Sequence, residues 1–448
     1  MQRIFVIGAG KSSSVLIQYL LERAESNQWH ITVGDMSSEL AEAKVGGHPH
    51  GSAIAFHVED AASRRELISK SDLVISLLPA FMHVPVASDC VEFGKHFISA
   101  SYVSDEMAAL HDAAVKQGVV LLNECGLDPG IDHMTAMQLM HHIEQKGGVI
   151  TGFESYTGGL ISPESDNNPW HYKLTWNPRN IVMAGQGVAG FTWKDRQKLI
   201  PYSKLFTRYD LLEIPGYGWF EGYPNRDSNK YKNIYQLHHT HTLVRGTLRK
   251  QGFCDAWNVL VQLGMTDDSY TVDLTEGCTW AQFVNTYLPF DAKKDIREKF
   301  IEYFALENAP EVMEKLDWLG LFSDRPVGHT QATPARILQT LLEDKWQLEP
   351  GDKDMIVMLH KLEYTLHGVE MEAQMSFVVT GQDEVNTAMA TTVGLPLGMA
   401  AKQILSGHMK QTGVVIPITA DIYEPILREL QADFGVRFMH SEKEIKHV

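Results

Sequence analysis

The hexapeptide Gly8-Ala9-Gly10-Lys11-Ser12-Ser13 joins a short apolar run to an amphipathic one. Glycines at such a junction let the backbone turn tightly and approach a pyrophosphate, which sits on the positive end of the helix that follows. Ser13 stands where a third glycine is usual. Asp35 closes the next apolar run, Ile31–Val33, after Gly34. A carboxylate there accepts hydrogen bonds from the adenosine ribose and repels a 2′-phosphate, so the local chemistry predicts NAD over NADP.

Other reactive groups follow later apolar runs. Leu73–Leu78 ends at Pro79, and the loop there should border the nicotinamide side of such a site. Ala100-Ser101-Tyr102 and Cys125-Gly126-Leu127-Asp128-Pro129-Gly130 end two more runs and offer two hydroxyls and a carboxylate. Asp128 and Tyr102 are the expected catalytic pair; His133 and Glu124 are further proton carriers, and no spacing selects among the four. Arg226, in Pro224-Asn225-Arg226-Asp227-Ser228, and Arg249, after Thr247 and Leu248, are the guanidiniums suited to bidentate carboxylate binding. The run His238-His239-Thr240-His241 has no Cys pair or HExxH beside it, so no metal is expected.

Short apolar strands alternate with amphipathic helices through the first 125 residues. The pattern predicts strands over Arg3–Ile7, Ile31–Val33, Ile54–Val58, Leu73–Leu78, His96–Ser99 and Val119–Leu122. Helices are predicted over Lys11–Gln28, Ser38–Val45 and Ala61–Ser69. Continuous apolar strands between helices mean a parallel, doubly wound α/β sheet. After Gly147-Gly148 the style changes to aromatics, Gly, Pro and Asn, with two long alternating strands in Met355–Thr380 around a turn at His367-Gly368. Helical periodicity returns in Thr387–Leu405 and Glu424–Phe434.

The 448 residues carry 39 Lys+Arg against 56 Asp+Glu, a formal net charge of −17. Such a chain repels polyanions, so nucleic-acid and membrane partners are not expected, and an anionic substrate needs local arginines. No signal-peptide core opens the chain and no run reaches the ~20 apolar residues of a membrane span. Its four cysteines form no CxxC pair. The expectation is a cytoplasmic protein.

The segments Leu73-Val74-Ile75-Ser76-Leu77-Leu78-Pro79, Ser101-Tyr102-Val103-Ser104, Asn123 through His133, Tyr223 through Ser228, Val244 through Arg249 and Asp317 through Asp324 resemble the saccharopine dehydrogenase family, specifically its glutamate-forming branch. The resemblance runs nearly end to end. It implies a Rossmann dinucleotide-binding domain built from both chain ends, 1–125 plus 386–448, and an inserted α+β substrate-binding and dimerisation domain, 126–385. It implies saccharopine-binding positions at Ser101, Tyr102, Asp128, Arg226, Thr247, Leu248 and Arg249. Dinucleotide contacts are implied at Gly10, Lys11, Ser12, Ser13, Leu77, Ala100, Leu127 and Pro129, with Gly8, Ser101 and Asp128 beside them. The implied reaction interconverts saccharopine with 2-aminoadipate 6-semialdehyde and glutamate, in lysine metabolism, and the implied assembly is a homodimer. Two residues depart from the family pattern. Asp35 stands where fungal members have Arg and use NADP, and Thr157 stands where the family has Cys. A dehydrogenase of another N-carboxyalkyl amine, such as a carboxylated polyamine, and a non-catalytic NAD-binding regulator share the glycine loop.

Overall fold

A computed structural model describes residues 1–184 and 186–446. Contacts divide the chain into two compact units. The first is Met1–Ile150 with Lys353–Ile356 and Tyr364–Val448; the second is Thr151–Asp352 with Val357–Glu363.

The first unit holds six early strands: β1 (Gln2–Ile7), β2 (Trp29–Asp35), β3 (Gly51–Ala55), β4 (Leu73–Ser76), β5 (His96–Ser99) and β6 (Val120–Leu122). A seventh strand, Gly413–Val415, comes from the far end of the chain. The sheet order is Gly413–Val415, β6, β5, β4, β1, β2, β3, and every neighbouring pair is parallel. This is the doubly wound dinucleotide-binding order, with the direction of winding reversing between β1 and β4. Burial explains why the strands read as unbroken apolar runs: Ile4, Val6, Val74, Ile75, Phe97, Ile98 and Leu121 lose nearly all solvent contact.

The third strand is Gly51–Ala55, three residues earlier than the periodicity of Ile54–Val58 suggested. Phe56 leaves the strand to pack edge-on against Phe5, ring centroids 5.2 Å apart. Gly51 allows the close approach of Val45 and Leu21, whose methyls would meet a Cβ at 2.6 and 3.0 Å. The helix Ala388–Leu405 lies on the helix Ser14–Glu22 through two glycines. A Cβ on Gly394 would meet Leu16 N at 2.9 Å, and one on Gly398 would meet Tyr19 Cδ1 at 2.5 Å.

The unit limits differ from the expected divisions at 125/126 and 385/386. Helix Ile131–Gln145 stays with the first unit, where His141 Nδ1 lies 2.7 Å from the Tyr423 hydroxyl. Strand Val369–Thr380 stays there as well, paired antiparallel with Met439–Glu444.

In the second unit the strands Asp210–Ile214, Gly218–Pro224, Thr242–Lys250 and Val149–Ile161 lie side by side in that order. The first two pairings are antiparallel and the last is parallel. Hairpin Val188–Trp193/Arg196–Pro201 adds to them. Beside the sheet, Trp170, Tyr172, Phe253, Trp257 and Trp346 form one aromatic cluster with ring centroids 5.0 to 6.3 Å apart. Among the described residues no helix is long and apolar enough to cross a membrane.

Candidate active site

In an open parallel sheet, ligands bind outside the carboxyl ends of the strands. Gly8 through Ser13 follow β1, Asp35 ends β2, Leu77 follows β4, Ala100 through Tyr102 follow β5, and Leu127 through Pro129 come after β6. All these expected positions therefore stand at one edge of the first unit's sheet. Gly8 takes φ +107, and a Cβ there would meet the Leu77 Cβ at 3.3 Å. A Cβ on Gly10 would meet nothing within 4 Å, so space is open where a pyrophosphate approaches. Lys11 is exposed and Ser12 half-buried, while buried Ser13 donates from its hydroxyl back to Gly10 O at 2.8 Å. Ser13 thus holds the loop by a side-chain bond where a glycine would give only slack. The loop fits a dinucleotide.

The Asp35 carboxylate is engaged by the protein itself. Oδ2 accepts from Ala9 N at 2.7 Å and Oδ1 from Ser37 N at 3.0 Å. Its place is as expected, but one bond braces the glycine loop at Ala9 and the other closes the turn at Ser37.

The segment Cys125–Gly130 folds tightly on itself. Gly126 N donates to Pro129 O at 2.9 Å, Ile131 N to Gly126 O at 2.8 Å, and Gly130 N to Asp132 Oδ1 at 2.6 Å. Gly130, at φ +150, leaves no room for a Cβ, which would meet Gly126 O at 2.0 Å. Asp128 and Pro129 are joined by a cis peptide bond. This turn sets Asp128 half-buried, with Oδ1 accepting from the Tyr102 hydroxyl at 3.0 Å. The expected catalytic pair is therefore in direct contact. Glu124 sits at φ +54 and binds the backbone of the same region: Oε1 accepts from Val103 N at 2.9 Å, and Oε2 lies 2.8 Å from Nε2 of buried His133. Those two candidates form a structural strut under the Tyr102–Asp128 pair.

His83 was not expected as a site residue. It opens helix His83–Phe93, is 3 % exposed, and bridges two strand ends: Nδ1 to Ser76 Oγ at 2.9 Å and Nε2 to Ser101 Oγ at 2.7 Å. Burial lowers its pKa to about 4, so the ring is neutral. The sequence signal was a lone histidine after a strand-ending Pro; its serine partners are not visible from spacing.

The remaining expected residues belong to the second unit. Thr247 and Arg249 alternate onto one face of strand Thr242–Lys250, and Leu248 turns its fully buried side chain to the other. In register, Thr247 stands between Tyr223 and Thr157, and Arg249 stands beside Glu221. The Glu221 carboxylate accepts instead from Gly252 N at 2.5 Å and Cys254 N at 2.8 Å, at the start of helix Phe253–Leu263. Arg249 is 5 % exposed and faces Tyr172 and Phe253, 5.2 and 5.3 Å from the ring centroids. Its Nη1 donates to Leu248 O at 3.0 Å, and among the described residues its Nε has no partner. The buried Thr157 hydroxyl also lacks one. Arg226 is exposed, at φ +54, just past Pro224, which pairs with Gly246.

Fold and site together define an α/β protein with a dinucleotide-binding unit and a second unit built on a mixed sheet. Residues 4–122 match the family model "Saccharopine dehydrogenase NADP binding domain", and residues 126–436 match "Saccharopine dehydrogenase C-terminal domain". The chain is 34 % identical to saccharopine dehydrogenase [NADP(+), L-glutamate-forming] of Schizosaccharomyces pombe, over 98 % of each chain. It is 32 % identical to the enzyme of the same name from Saccharomyces cerevisiae, over 97 % of this chain and 98 % of that one. The solved apo structure of the Saccharomyces cerevisiae saccharopine dehydrogenase (L-Glu forming) superposes with a TM-score of 0.89 at 29 % identity, covering 99 % of this chain and all of that one. The chain belongs to the saccharopine dehydrogenase family.

These findings correct the cofactor expectation. The relatives are named for NADP(+) and the matching amino-terminal family model is an NADP-binding one, so the preference for NAD drawn from Asp35 is withdrawn. The physical reason lies in the two bonds above. The residue type suggested a ribose reader, but each carboxylate oxygen already accepts a backbone N–H, Oδ2 from Ala9 and Oδ1 from Ser37.

Proposed function

We propose that this protein is an NADP-dependent, glutamate-forming saccharopine dehydrogenase of lysine metabolism. Saccharopine carries three carboxylates and a secondary amine. Oxidation at the lysine ε-carbon gives an imine, whose hydrolysis yields 2-aminoadipate 6-semialdehyde and glutamate. NADP, when bound, supplies the hydride chemistry. The glycine loop and the helix after it hold its pyrophosphate. Ser101 orients the ligand from the end of β5. Asp128, tied to the Tyr102 hydroxyl, receives the substrate's amino group, and the pair carries the proton during imine hydrolysis. Thr247 and Arg249 seat one carboxylate and Arg226 another.

The observation that carries this reading is Arg249. A guanidinium buried among aromatic rings, with Nε unpaired and its neighbouring carboxylate committed elsewhere, is built for an anion from outside. The four cysteines, all free and buried, support a reducing, cytoplasmic setting. The exposed apolar side chains of the second unit's outer strands support a homodimer. The deciding assay follows saccharopine oxidation with NADP and with NAD and identifies the amino-acid product. Glutamate, formed faster with NADP, is expected. Lysine as product, or no turnover of saccharopine, overturns the proposal.

A further inference from the structure

His83 is buried, neutral and hydrogen-bonded at both ring nitrogens, each time to a serine hydroxyl. A neutral imidazole donates from one nitrogen and accepts at the other, so such a chain has a direction. Ser76 fixes it. Its hydroxyl is 1 % exposed, and among the described residues His83 Nδ1 is its only hydrogen-bond partner. A buried O–H left without an acceptor is costly, so Ser76 donates to Nδ1. The ring proton then resides on Nε2 and is donated to Ser101 Oγ. Ser101 accepts from the ring, which leaves its own proton free to be donated to a ligand at the strand edge.

We infer that His83 is a positioning residue: backed by Ser76, it turns the Ser101 hydroxyl so that its proton is donated toward an acceptor oxygen of the bound ligand. That oxygen belongs either to a substrate carboxylate or to the nicotinamide carboxamide. The inference deepens the proposed function and rests on it for the ligand's identity. The direction of the hydrogen-bond chain itself belongs to the protein alone.

Two measurements test it separately. Nitrogen-15 NMR of the ligand-free protein at neutral pH reads the tautomer directly. A protonated Nε2 with a bare Nδ1 is expected; an Nδ1–H ring or an imidazolium overturns the inference whatever the enzyme turns over. In kinetics, Ser76→Ala frees the tautomer without touching ligand and should raise one KM about tenfold, with kcat little changed. Ser101→Ala should raise the same one. A rise for saccharopine assigns the acceptor to a substrate carboxylate, and a rise for NADP assigns it to the carboxamide. His83→Gln, which keeps an N–H toward Ser101, should restore most of what His83→Leu loses. Unchanged KM values in folded Ser76→Ala and His83→Leu, or a Gln variant no better than Leu, refute the positioning role.

Discussion

Arg249 and His83 are both buried polar groups, and each makes a prediction that depends on what surrounds it. Replacing Arg249 by Met keeps the stem packed between Tyr172 and Phe253 but removes the charge. Loss of a buried charged hydrogen bond costs about 2–5 kcal/mol, so kcat/KM for saccharopine should fall roughly 30-fold or more with the KM for NADP unchanged. Arg249→Lys should recover little, because a point charge does not reproduce the planar fork; equal loss for both ligands would refute the carboxylate role. His83 acts on stability through pH. Burial lowers its pKa from 6.5 to about 4, so between those values the unfolded chain binds a proton that the folded one refuses. Stability is therefore full above pH 6.5 and is lost as pH falls toward 4, by up to roughly 3 kcal/mol. His83→Gln cannot titrate, and its urea-denaturation free energy should fall less steeply over that window; parallel pH curves would refute the assignment. The arginines could be read from the sequence because type alone singles them out in an acidic chain. His83 could not, since Ser76 and Ser101 reach it only through the fold. Asp35 was misread for the same reason: its bond to Ala9 N is a fact of folded geometry.

At the scale of elements, helices Ser14–Glu22 and Ala388–Leu405 approach closely in the first unit, and glycine makes it possible. Gly394→Ala would put a Cβ 2.9 Å from Leu16 N, a backbone atom that cannot turn aside. Overpacking of this kind costs about 1–3 kcal/mol, so the denaturation midpoint should drop measurably and NADP should partly restore it. Gly407→Ala, where a Cβ meets nothing within 4 Å, should show only the strain of its φ of +72; an equal or larger loss there would refute the packing account. The strands and helices around this crossing were largely legible. Fully buried parallel strands read as apolar runs, and the helix over Ser38–Val45 matches its expected limits because Ser37 caps it, accepting from Leu40 N. What escaped was short or broken. Gly413–Val415 is three residues long and shows no period, although it completes the parallel sheet. Val149–Ile161 is a long strand interrupted in pattern by Gly158-Gly159, where Gly158 admits the Leu248 carbonyl, 2.6 Å from where a Cβ would sit. Strand–helix alternation made the dinucleotide-binding unit readable, whereas the second unit's mixed pairings left only a general α+β expectation.

For the whole molecule, ligand and assembly should both register in stability. NADP at 100 times its dissociation constant adds about 2.7 kcal/mol to the folded state, so its thermal shift should exceed that of NAD at the same concentration; a larger NAD shift would refute the NADP reading. Assembly is argued from the second unit's outer strands. Among the described residues, Asp210–Ile214 pairs on one side only, with Gly218–Pro224, which leaves its other edge open. On this strand and its neighbour, Leu211 and Trp219 are 50 % and 49 % exposed. An apolar face beside an open strand edge is the kind of surface that soluble chains cover, and a net charge of −17 does not by itself prevent a second copy from covering it. Light scattering coupled to gel filtration should therefore give twice the 50.3 kDa of one chain. Leu211→Glu with Trp219→Glu places like charges on that face of each copy and should return the mass to that of one chain, with the circular-dichroism spectrum intact. A wild-type chain that runs as a monomer at micromolar concentration, or a double variant that still pairs, would show that these strands are not the interface.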